Sequence, residues 1–119
     1  MSDLQIHNCQ ATPLAGIPQL SLNEFRDRII CAVAAGARIS ALFGCPTRAL
    51  SVPQKNDARS DTIRLFAVLA RSHIGDFSVF CADAEEHYTA LTPECAQAHW
   101  FEREIAEQWG LKPEGHPWL

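Results

Sequence analysis

Leu22, Phe25, Ile29 and Val33 recur at helical spacing behind Ser21, the first regular pattern along the chain. Ser21 and Glu24 form a capping box, in which the serine accepts from the backbone and the glutamate reaches back. Gly36 supplies the stop, so an amphipathic helix is predicted over 21–36. The period then changes. Arg38 to Cys45 reads as a strand closed by Pro46, and residues 46–60, polar with Pro53 and Asn56-Asp57, read as a loop. Asp61–Ala70 and Asp76–Ala82 read as two further strands. Ser72-His73-Ile74-Gly75 joins them, a link short enough to predict an antiparallel hairpin. Alternation is incomplete: Ile63, Leu65 and Leu69 share one face, Phe66 and Val68 the other, and Phe77 and Val79 oppose Phe80. Two helices cover one face of such a sheet, which makes the residual apolar face a candidate docking surface.

A second helical pattern follows. Thr92 reads as its cap, Pro93 suits its first turn, Glu94 sits near its positive end and Gly110 ends it. At roughly 100° per residue, Ala98, Phe101, Ile105 and Trp109 share a narrow arc, the predicted core stripe. Trp100 falls on the opposite side with Ala96, Arg103 and Glu107. The tail from Lys112 to Pro117 contains two prolines and a glycine, so it is predicted to run extended. Residues 1–20 hold Pro13 and Pro18 and lack helical periodicity. Their first dozen read as mobile, and Ile17–Leu20 as a candidate short strand. The whole is an α+β domain over 21–119: an N-terminal amphipathic helix, a mainly antiparallel sheet of three or four strands, and a C-terminal helix with an extended tail.

Composition narrows the function classes. A chain of 119 residues with 47% hydrophobic content supports one core. A net charge of -4 argues against nucleic-acid binding, which needs a basic face. No apolar run approaches the roughly 20 residues of a membrane span. The opening MSDLQIHNCQ lacks the basic and apolar regions of a secretory signal, which points to the cytoplasm. Cys9, Cys31, Cys45, Cys81 and Cys95 are widely and unevenly spaced, unlike cluster or zinc ligands; reduced thiols are expected, with Cys31 and Cys81 as small core residues.

Residues 99–119 carry a more specific signal. Trp100-Phe101-Glu102-Arg103-Glu104, Glu107, Trp109-Gly110 and Gly115-His116-Pro117 stand in fixed order, preceded by Ala90-Leu91-Thr92-Pro93 and Ala98. This string resembles the signature of the thirty-kilodalton subunit of respiratory complex I, the proton-pumping NADH dehydrogenase. Glu107 stands where the family usually has Asp, and Gln108 replaces one of its large apolar residues. The Pro113-Glu114-Gly115-His116-Pro117-Trp118-Leu119 wording is closer to group 4 membrane-bound nickel–iron hydrogenases and formate hydrogenlyase-type complexes, where such a domain is often fused ahead of the large subunit. The family continues past the proline with a basic segment, whereas this sequence ends at Leu119, so it is expected to be a piece, or the N-terminal domain, of a longer protein.

The resemblance implies a non-catalytic building block of a redox complex. It would dock beside the large subunit and other complex I-like subunits, and lie peripheral to the inner membrane through them. It would bind no metal, flavin or nicotinamide; nickel–iron, iron–sulfur or quinone sites are expected in the partners. The expected partner interface comprises Trp100, Glu102, Arg103, Glu104, Glu107 and His116. An exposed tryptophan beside an arginine suits an interface hot spot. Alternatively the tail covers Trp100. An Arg103–Glu107 pair at i,i+4 is the solvated reading of this face. Either Arg103 or Glu102 is expected to hold a neighbouring backbone segment or the partner.

Catalysis finds little support. His73, His87, His99 and His116 are scattered, no nucleophile elbow occurs, and Gly16, Gly36, Gly44 and Gly75 are isolated rather than gathered in a nucleotide loop. Asp83, Glu85, Glu86 and His87 read as a solvated turn rather than a metal site. A true NADH dehydrogenase subunit is the first alternative. A free-standing metal-dependent enzyme using the scattered histidines and acids, His99 and His116 among them, is the second.

Overall fold

A computed structural model describes residues 4–7, 10–50 and 62–117. In chain order the elements are β1 (Leu4–His7), α1 (Leu22–Ala34), β2 (Arg38–Pro46), β3 (Ile63–Arg71), β4 (Asp76–Ala84), β5 (His87–Thr89), α2 (His99–Trp109) and β6 (Lys112–Glu114). The predicted α+β architecture is present: β1-β4-β3-β2 form an antiparallel sheet, and β5 and β6 a short parallel pair. Residues 51–61, which carry most of the predicted loop, lie outside the described residues, as do Cys9, Trp118 and Leu119.

Helix α1 forms as its pattern requires. Ser21 Oγ accepts from the Glu24 amide at 3.2 Å. At the far end Gly36 takes φ 110°, and the Gly36 and Ala37 amides return to Val33 and Ala32, satisfying carbonyls that the helix leaves open. Phe25 and Ile29 are buried, and Phe25 meets Phe80 edge-on at 5.5 Å. Cys31 is exposed, contrary to its expected place in the core, because it faces away from Phe25 and Ile29 on the helix. Cys81 and Cys95 are buried, and burial pushes both thiols up.

Strands β3 and β4 form the predicted hairpin. Arg71 and Asp76 close it, with Nε–Oδ1 at 3.0 Å and Nη2–Oδ2 at 2.8 Å. That pairing holds the Asp76 carboxyl below its ordinary range. Leu4 and Ile6 of β1 cover the first half of the β4 edge, in place of a mobile lead-in. Farther along, Cys81 exchanges backbone hydrogen bonds with Pro18 and Leu20, so the predicted short strand survives as a single bridge at Gln19.

Register sorts the sheet into two faces. Leu42, Ala67 and Phe80 align on one, as do Gly44, Leu65 and Ala82; both helices pack there. Phe43, Phe66 and Cys81 align on the other, where the Phe43 and Phe66 rings stack at 5.3 Å and Phe43 is 42% exposed. Both faces are apolar, as the broken alternation implies. Gly44 allows α2 to close onto the sheet. A Cβ there would stand 2.8 Å from Ile63 Cγ2 and 3.1 Å from Trp109 Cδ1.

Helix α2 departs from its predicted bounds. It begins at His99, not at Thr92, after a turn and a 3-10 segment at Ala96–Ala98. Thr92 cannot cap a helix here because its amide and hydroxyl both donate to Glu102. Glu94 pairs with Arg26 of α1 instead of resting at a helix end. Gly110 ends the helix at φ 70°, as predicted.

Candidate functional site

The C-terminal helix has a buried face and an outer face, and Glu102 belongs to the first. Its side chain is 0% exposed. One carboxylate oxygen accepts from the Leu91 amide at 2.8 Å; the other accepts from the Thr92 amide at 3.0 Å and the Thr92 hydroxyl at 2.7 Å. Four residues on from Ala98 and three before Ile105, Glu102 lies about 40° from Ala98 on the helical wheel, about 20° past Trp109 and so just beside the expected stripe. Its charge concealed this. Phe101, at the opposite edge of the arc, is half-buried, and Trp109 is 39% exposed while its indole lies over Gly44. The buried stripe is therefore Ala98, Glu102 and Ile105. Glu102 leaves the expected interface and takes the role of holding a neighbouring backbone segment.

Tyr88 belongs to the same node. Its hydroxyl is buried beside Glu102, without a hydrogen bond of ordinary geometry among the described residues. Burial first, and the Glu102 charge second, raise its pKa well above the ordinary tyrosine value. The segment from Tyr88 to Thr92 is also tied to α1, since Arg26 donates to the Ala90 carbonyl at 3.2 Å. No sequence signal distinguishes Tyr88 or Gln97; the Gln97 side-chain oxygen accepts from the Ile39 amide at the β2 bulge.

On the outer face, Trp100, Arg103, Glu104 and Glu107 surround one open groove of about 350 Å³, with Phe101 at its wall. Trp100 is 69% exposed. The Arg103 guanidinium lies 5.1 Å from its ring centroid, a cation–π contact, and His99 meets the indole edge-on at 4.8 Å. Arg103 turns to Trp100 instead of Glu107. Among the described residues neither Glu104 nor Glu107 forms an ion pair.

His116 stands beside this group rather than in it. Its Nε2 donates to the His99 carbonyl at 3.2 Å, and the two imidazoles lie 6.3 Å apart. The tail is extended, as predicted. Pro113 is buried, the Lys112 amide donates to Glu86 and the Ala90 amide to Glu114. Its described residues leave Trp100 uncovered. Asp83 is drawn from the acidic turn into a paired contact with Arg64, at 2.7 Å and 3.2 Å. Among the described residues no three His, Cys, Asp or Glu side chains converge to hold a metal, and no helix is long and apolar enough to cross a membrane.

Residues 31–119 match the family described as respiratory-chain NADH dehydrogenase, 30 Kd subunit. The chain belongs to this family. Its fold is similar to that of Nqo5 in a trypsin-resistant fragment, with a TM-score of 0.59 and 21% identity over 85% of this chain and 80% of that one. A search of curated proteins gave no match.

Proposed function

We propose that this family member is a non-catalytic assembly domain of a complex I-like oxidoreductase, docking against the large subunit through the outer face of α2. The observation that carries this reading is Trp100. A large aromatic left 69% exposed, held by Arg103 and His99 within the signature helix, costs solvation in a lone chain. A rigid tryptophan of this kind is a natural interface anchor. His116 supports the surface from behind by fastening the tail to the first turn of α2. The wording of the tail favours a membrane-bound nickel–iron hydrogenase or formate hydrogenlyase as the parent complex, with the metal, cluster or quinone sites in the partners and the assembly peripheral to the inner membrane. The family's description favours a second reading, a subunit of NADH:quinone dehydrogenase.

The test pairs stability with association. Trp100→Ala should cost the chain about 1 kcal/mol or less in a thermal melt. Binding to the large subunit should weaken by about 2 kcal/mol or more. Unchanged binding would overturn the docking surface. Nickel and paired nickel-binding cysteine motifs in the subunit that co-purifies would decide for the hydrogenase, and their absence for the dehydrogenase.

A further inference from the structure

We infer that the groove on α2 receives a cationic side chain, an arginine or lysine carried by an exposed segment of the large subunit. The inference rests on the docking reading above and adds the chemistry of the partner. Arg103 and Glu104 stand three and four residues after Trp100, and four and three before Glu107, so the four form a stripe along the outer face about 10 Å long. Two carboxylates face the groove against one guanidinium, a local excess of one negative charge. Arg103 does not neutralise them in an ion pair, because its guanidinium lies over the indole. The indole is largely exposed and its π face attracts cations. An incoming guanidinium or ammonium would therefore lay its apolar stem on Trp100 and bring its charge between Glu104 and Glu107. An acidic segment would meet two unpaired carboxylates, and an apolar one would strip them of water without return.

Binding of the full chain to the purified large subunit, followed between about 0.05 and 0.5 M salt, tests this directly. The paired variant Glu104→Lys/Glu107→Lys should weaken binding about thirtyfold or more at the low end, with the loss shrinking as salt rises. Glu104→Gln/Glu107→Gln should weaken it about five- to tenfold, both variants melting like the wild type because the two side chains are exposed. Charge-reversed protein that binds as tightly as the wild type, or more tightly, while Trp100→Ala still weakens binding, would leave the surface standing and refute the cationic partner. Wild-type chain that shows no affinity for the large subunit would overturn both.

Discussion

Glu102 is expected to act inside the fold, and its removal should be felt there first. In Glu102→Ala two buried amides, Leu91 and Thr92, lose their acceptor. Each unsatisfied buried donor costs about 1–3 kcal/mol. The Thr92 hydroxyl can turn to another acceptor, and loss of a buried charge returns part of its desolvation cost. A net loss of roughly 3–4 kcal/mol follows, a large part of the 5–15 kcal/mol typical of a domain. Glu102→Gln keeps the shape and one accepting oxygen but turns an NH2 toward a donor, so about 1–3 kcal/mol is expected. Urea unfolding of the full chain, followed by circular dichroism, measures both. A cycle with Thr92→Val should return a coupling of about 0.5–3 kcal/mol, since the two side chains touch at 2.7 Å. The reasoning is refuted if Glu102→Ala unfolds within about 0.5 kcal/mol of the wild type yet loses the large subunit. The carboxylate would then act on the partner and not on residues 91–92.

Three other residues carry further expected outcomes. Tyr88→Phe removes a buried hydroxyl that makes no hydrogen bond of ordinary geometry among the described residues, so stability should hold or rise by up to about 1 kcal/mol in the same urea assay. Because the folded Tyr88 pKa is raised, the wild type should lose stability as pH climbs past about 10, and the variant should lose less. Gly44→Ala should cost about 1–3 kcal/mol in a thermal melt, as the new Cβ meets Ile63 and the Trp109 indole; a variant as stable as the wild type would show that α2 can lift off the sheet. Asp76, whose folded pKa is lowered by Arg71, contributes stability that is present above about pH 4 and lost as pH falls through the lower folded value. Acid titration of Asp76→Asn should lack that part of the loss.

Local physics alone determined a good deal of this protein. The Ser21 cap, the apolar spacing of α1 and the stops at Gly36 and Gly110 depend on neighbours within a turn, and all are present. The β3–β4 hairpin depends on a short connection and two apolar runs, which are equally local. The ordered string in residues 99–119 marked the family, and helical phase placed Trp100 and Arg103 on the outer face. Tertiary structure decided the rest. Whether a carboxylate beside the apolar arc of a helix is core or surface depends on what stands opposite. Glu102 is core because two amides and a hydroxyl from residues 91–92 are there to receive it. The same contacts take Thr92 away from capping and delay α2 to His99. The order β1-β4-β3-β2, the seating of Trp109 over Gly44 and the hold of His116 on His99 join residues far apart in sequence, and no periodicity along the chain records such distances.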